Sequence, residues 1–129
     1  MSEKAVVRTE AAPAPFQGAP YNQAIVAGGL VFVAGQLGID AASGQVVEGG
    51  IGAQTERVFA NLRAILEAAG SSLDAVVKTT VFLTNLDDFG GMNEVYAASI
   101  GSTPPARSTV EIGRLPAGAL VEIEAIALA

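Results

Sequence analysis

The sequence predicts an α+β two-layer sandwich, a five- or six-stranded mixed sheet carrying two helices on one face. Three observations predict it. Apolar β-rich runs and helical stretches alternate as strand, strand, helix, strand, helix, strand, strand, with room for one more short strand at the N-terminus. Two helices cannot cover both faces of such a sheet, so they belong on one. Half of the 129 residues are apolar and only 16% are charged, which is too apolar for the second face to stand in water. A permanent subunit interface is therefore expected there. Residues 1–129 are expected to form a single domain with one core.

Residues 9–20, with three prolines, read as an irregular lead-in. Residues 24–28 and 30–34 are β-rich runs around Gly28-Gly29, the composition of a tight hairpin. Asp40 to Gly44 supplies turn chemistry, and Gln45 to Val47 reads as a short extra strand. From Gly52 to Ala69 the period changes to helical: Thr55, Val58, Phe59, Leu62, Ile65, Leu66 and Ala69 fall on one face. Gly70 is a natural stop. Val76 to Leu83 is a strand, and Asn85 or Asp87 caps a second helix with the apolar stripe Phe89, Met92, Tyr96 and Ile100. Pro104-Pro105 ends that segment, and two strands close the chain.

Bulk chemistry narrows the function. Net charge is −6, pI is about 4.4, mean hydropathy is +0.45, and the seven Lys and Arg stand singly. That is not the basic stripe of a nucleic-acid binder. Without Cys there is no thiolate nucleophile, disulfide or zinc–sulfur site; without His, the commonest general base and metal ligand are missing. Catalysis would rest on carboxylates, Tyr, Lys, hydroxyls, backbone and water. No apolar run approaches the roughly 18–20 residues needed to cross a bilayer. The N-terminus lacks the pattern of a signal peptide, so a cytoplasmic location is expected.

The chemistry concentrates near the C-terminus. Residues two apart in a strand share a face. Glu122 and Glu124 therefore lie with Leu120, Ile126 and Leu128, opposite the apolar Ala119, Val121, Ile123, Ala125 and Ala127. Arg107, Thr109 and Glu111 share a face of the preceding run. If the two strands formed a hairpin turning near Leu115 and Pro116, Arg107 would face Glu124 and Thr109 would face Glu122. Two readings of these charges stand. One is a cross-strand staple of Arg107 and Glu124 worth roughly 0.2–1 kcal/mol. The other is a site in which the Arg107 fork holds a substrate carboxylate and a desolvated Glu handles water. Tyr21 reads as either an edge plug or a site aromatic, and Asn93 as either a solvated border residue or a ligand contact.

Several stretches together resemble the reactive-intermediate deaminase family (RidA, also called YjgF-like) over almost the whole chain. They are Ala19-Pro20-Tyr21-Asn22-Gln23-Ala24, Val31-Phe32-Val33-Ala34-Gly35-Gln36, Thr55 to Leu62, Val77 to Leu83, and Asp88-Phe89 through Asn93-Glu94-Val95-Tyr96. The most specific is Pro105-Ala106-Arg107-Ser108-Thr109-Val110-Glu111 with Leu115-Pro116 and Val121-Glu122-Ile123-Glu124-Ala125. The resemblance implies a chorismate-mutase-like subunit assembled as a homotrimer, with ligand clefts between subunits. It also implies hydrolysis of enamines and imines such as 2-aminoacrylate, 2-iminopropanoate and 2-iminobutanoate to 2-keto acids and ammonia, with no cofactor and no metal.

Residue by residue, the resemblance makes Arg107 the carboxylate-binding arginine and Glu122 the glutamate that orients water. Tyr21, Gly35 and Asn93 match cleft residues, some supplied by the adjacent subunit. Two positions depart from the pattern: Ala34 stands where a serine is frequent, and Thr109 where a cysteine is frequent. The first puts the tightness of substrate binding in question, the second its specificity. Rival readings are a keto-acid-binding regulatory module using the same cleft and, third, a ribonuclease, against which the acidic charge and missing His argue.

Overall fold

The computed structural model describes residues 3–129. Gly28 and Gly29 take φ of 59° and 78°, both left-handed, so the chain reverses in two residues between β2 (Ala24–Ala27) and β3 (Leu30–Leu37). A short β1 (Ala5–Val7) pairs with β2, as the N-terminal run allowed. Helix α1 spans Gly50–Ala68, two residues earlier at its start than the periodicity suggested. It ends in a Schellman motif: Ser71 N–H donates to the Leu66 carbonyl at 2.8 Å and Gly70 N–H to Glu67 at 3.0 Å. Strand β4 covers Val76–Leu83, the expected span. The Asn85 side chain accepts from Asp87 N–H at 2.8 Å, capping a 3₁₀ turn that leads into α2 (Phe89–Ser99). Strands β5 (Ala106–Glu111) and β6 (Val121–Leu128) close the chain. Gln45 to Val47 forms no strand; Val46 makes only an isolated bridge to Ile39.

The sheet order is β1-β2-β3-β6-β4-β5, with β4 and β5 parallel and every other neighbouring pair antiparallel. This corrects the closing hairpin. Strand β5 pairs with β4, Arg107 beside Thr79, while β6 lies between β3 and β4, Glu122 beside Leu37 and Phe82. The reason is burial. Val121, Ile123, Ala125 and Ala127 are at most 3% exposed, so β6 must be central, with helices over that face. Strand β5 has no fully buried residue and suits an edge. β4, α2 and β5 then form a parallel crossover unit, and residues 112–120 carry the chain past β4 to its other side. The Arg107–Glu124 staple does not form across neighbouring strands.

One main core lies between the helices and the sheet: Val58, Phe59, Leu62, Ile65 and Leu66 of α1 and Met92 and Tyr96 of α2 meet Val31, Val33, Val81, Leu83 and the odd-numbered residues of β6. The opposite face carries Phe32, Phe82, Val110, Ile126 and Leu128, with Phe32 43% exposed. Among the described residues nothing covers it.

Candidate functional site

Glu122 sits on that uncovered face and floors a cleft of about 1030 Å³. The end of β3 and its following loop form one side, Pro116 and Ala117 another, and residues 13–21 the outer wall. Its carboxyl rests against Gly35. A Cβ built on Gly35 would lie 2.7 Å from the Glu122 Cδ and 2.8 Å from Oε2, so glycine here makes room for the acid. The β3–β6 register shifts between Val33 and Gln36, at the same place. Burial, and secondarily the Glu124 carboxylate on the same face, raise the Glu122 pKa above the usual carboxylate value.

The neighbouring backbone is pinned from two sides. Asn61, fully buried in α1, donates to the Leu37 and Ile39 carbonyls at 3.2 and 2.9 Å. Gln54 Oε1 accepts from Leu120 N–H at 2.8 Å, just before β6. Tyr21 lines the cleft, and its hydroxyl accepts the Phe16 N–H at 2.6 Å. Gln17 and Ala117, at two corners of the cleft, hold φ of 53° and 57°, strain that non-glycine residues rarely carry.

Arg107 lies elsewhere. Its neighbour Thr79 bonds the Tyr96 hydroxyl at 2.6 Å inside the core, which puts this row on the helix side of the sheet. The guanidinium carbon stands 4.6 Å from the Tyr96 ring centroid and 5.5 Å from that of Phe89. Tyr96 is held in turn by an edge-on contact with Phe59, 5.4 Å between centroids and 83° between planes. The arginine is thus seated on two aromatic faces, a contact worth roughly 0.5–2 kcal/mol. Thr109 follows on the same side of β5, and Asn93 is half-buried one helical turn from Phe89 on α2.

The six expected site residues therefore form two groups within one chain. Tyr21, Gly35 and Glu122 line the cleft; Arg107, Thr109 and Asn93 gather beside α2 on the other side of the sheet. The common side expected for Arg107 and Glu122 fails with the hairpin that implied it. Sequence reasoning also placed Phe89 in the core stripe, yet it is 41% exposed and flanks the guanidinium. Helical spacing signals an apolar stripe but not which of its aromatics an arginine from a strand will cover.

The Endoribonuclease L-PSP family model matches residues 9–129. A RutC family protein of Pyrococcus abyssi is 53% identical over 124 residues, 96% of each chain. The 2-iminobutanoate/2-iminopropanoate deaminase of Mus musculus is 42% identical over 123 residues, 95% of this chain and 90% of that one. RidA from the Antarctic bacterium Psychrobacter sp. PAMC 21119, known as a crystal structure, matches with a TM-score of 0.91 at 44% identity, covering 97% of this chain and 99% of that one. Agreement of this kind, in sequence and in backbone along nearly the whole chain, makes the protein a member of the RidA/YjgF family.

Proposed function

We propose that the protein is an imine and enamine deaminase acting on small carboxylated substrates, 2-aminoacrylate, 2-iminopropanoate and 2-iminobutanoate, as a homotrimer. The observation that carries this reading is the desolvated Glu122 carboxyl seated on Gly35 at the floor of an open cleft. The 42% identity to a mouse protein named for that activity supports it. Assembly supplies what one chain lacks. The uncovered apolar face meets a second copy, and the Arg107, Thr109 and Asn93 group of one subunit closes over the Tyr21, Gly35 and Glu122 cleft of its neighbour.

In this reading the Arg107 fork, already oriented by Tyr96 and Phe89, binds the substrate carboxylate with two parallel hydrogen bonds. 2-Aminoacrylate first takes a proton on its methylene carbon and gives one up from nitrogen, becoming 2-iminopropanoate; Glu122 then holds water against the C=N carbon. Water adds across the double bond: its oxygen bonds to carbon, and one proton passes through Glu122 to nitrogen. In the resulting carbinolamine the hydroxyl proton passes through Glu122 to the amino nitrogen as the C–N bond breaks, releasing ammonia and leaving the 2-keto acid. A carboxyl with a raised pKa suits both halves of that transfer. No cofactor or metal enters these steps.

The test is to generate 2-iminobutanoate in situ and follow keto-acid release. Wild type is expected to exceed the uncatalysed rate, and Arg107→Ala to fall to it. Equal rates with wild type, Arg107→Ala and no protein would sink the reading. Carboxylate binding that survives in Glu122→Gln, without turnover by wild type, would select a regulatory binding module instead. Sedimentation at the mass of one chain would remove the shared site.

A further inference from the structure

The outer wall of the cleft is irregular chain, and its attachment is unusual. Among the described residues, the backbone hydrogen bonds of residues 9–19 close within the segment or onto Tyr21: Gly18 to Pro15, Ala19 to Phe16, and Tyr21 to Ala19. None joins the sheet. One side chain of the sheet makes up for this. Gln23, 3% exposed just before β2, accepts from Thr9 N–H at 2.8 Å through Oε1. Its Nε2 donates to the carbonyls of Thr9 at 3.0 Å, Ala12 at 3.2 Å and Pro13 at 2.8 Å. The three carbonyls share the two amide hydrogens, so one N–H is bifurcated, and both ends of the amide are engaged on one segment. Besides this anchor, the segment has the buried Ala12 methyl, the packing of Phe16 against Leu37, Ile39, Leu115 and Ala119, and the Tyr21 bond to Phe16.

Pro13, Ala14, Pro15, Phe16 and Gln17 of that segment line the cleft opposite Glu122. Behind it lies a second cavity of about 410 Å³, lined by Arg8, Thr9, Glu10, Asn22 and Gln23 among others, so the strap is a partition with space on both sides. A partition of this kind stays where its anchor holds it. We propose that Gln23 is a positioning residue that sets the width of the substrate cleft by suspending residues 9–15 from the sheet. Gln23 borders the cleft but is 3% exposed, and its amide is engaged by Thr9, Ala12 and Pro13, so it acts through the strap. The inference rests on the reading of the cleft as the substrate site.

Gln23→Met keeps the length and volume and removes all four hydrogen bonds. Thr9→Pro removes the N–H that Gln23 Oε1 accepts, together with the Thr9 hydroxyl that accepts from Ala11 N–H at 3.2 Å, from the strap side of the pair and without touching the sheet. Both are expected to speed amide hydrogen exchange at residues 9–19 while leaving β3, β4 and β6 protected. Both should raise KM for 2-iminobutanoate, by roughly five- to twentyfold for Gln23→Met and less for Thr9→Pro, with kcat within about twofold. Binding of 2-oxobutanoate, followed by NMR, should weaken by the same factor.

A glutamine that merely fills a buried site would lower thermal stability and leave KM and ligand affinity alone. That result, or unchanged exchange in the strap, overturns the proposal. Should Gln23→Met not fold, Thr9→Pro carries the same two readouts. Failure of the cleft reading shows in wild type, as neither turnover nor 2-oxobutanoate binding; failure of the present proposal shows as variants that match wild type.

Discussion

The two faces of one sheet solve opposite problems. On the helix side a permanent cation is placed by adding matter: Thr79 fixes Tyr96, Phe59 braces it, and Arg107 lies across the ring with Phe89 beside it. On the open side a carboxyl is placed by withholding matter: Gly35 has no side chain, and Glu122 occupies the space. A guanidinium keeps its charge in any protein environment, so packing it against aromatic faces costs little and fixes its direction. A carboxyl is different. Partial burial, and then the Glu124 carboxylate, raise its pKa, which suits the proton transfer proposed for it. The contrast teaches that the useful cation is rigid and the useful acid is desolvated.

Joining the two faces should break most easily. Phe32→Asp puts a charge in the uncovered apolar patch, and sedimentation is expected to shift from the proposed trimer to single chains with loss of nearly all turnover. Full activity from a species of single-chain mass would show that one chain suffices.

The rigid side is sharpened by Arg107→Lys. The point charge remains and the fork is lost, so kcat/KM should fall roughly 10- to 100-fold, while Arg107→Ala reaches background. Equal activity of the lysine variant would mean that charge alone, not the aromatic seat, does the binding.

On the open side Gly35→Ala separates placement from stability. The added Cβ meets the far end of a flexible side chain, which swings away at a cost below about 1 kcal/mol. Activity should nevertheless drop roughly tenfold or more, because the carboxyl no longer holds its place. A large fall in Tm with activity per folded molecule intact would reverse this assignment.

The smallest effect is thermodynamic and lies in Glu122→Gln. Since burial and then Glu124 raise the Glu122 pKa in the folded chain, the native state keeps that proton to higher pH than the unfolded chain does. Between the ordinary carboxylate pKa and the raised one the native state binds more protons, so this residue's contribution falls as pH rises through that window. Glu122→Gln removes the slope. Relative to wild type its Tm should improve with rising pH across the window and level off above it. A parallel pair of Tm–pH curves would mean that Glu122 is not perturbed.

Helix α1 and strand β4 were legible because their information is local: a 3–4 apolar spacing closed by Gly70, and a β-rich apolar run between turn residues. Alternation along β6 was legible too, and put Glu122 and Glu124 on the face opposite Val121 and Ile123. The closing hairpin misled because two strands adjacent in sequence need not be adjacent in the sheet. A nearly unexposed inner face pulls β6 to the centre, and the crossover through α2 delivers β5 to the edge. Gln23 was visible within a motif, but that its four hydrogen bonds all serve one strap was not.

Amino-acid order alone determined which residues share a strand face, where the helices run, that one sheet face is left apolar, and that Arg107 and Glu122 are the conspicuous charges. Tertiary structure decided that they occupy opposite sides of the sheet, that Arg107 lies on Tyr96 and Phe89, and that Gly35 is empty for the sake of Glu122. Face membership follows from backbone period, a property of neighbours along the chain. Strand order and close approach depend on which surfaces bury best against one another, a competition among segments far apart in sequence.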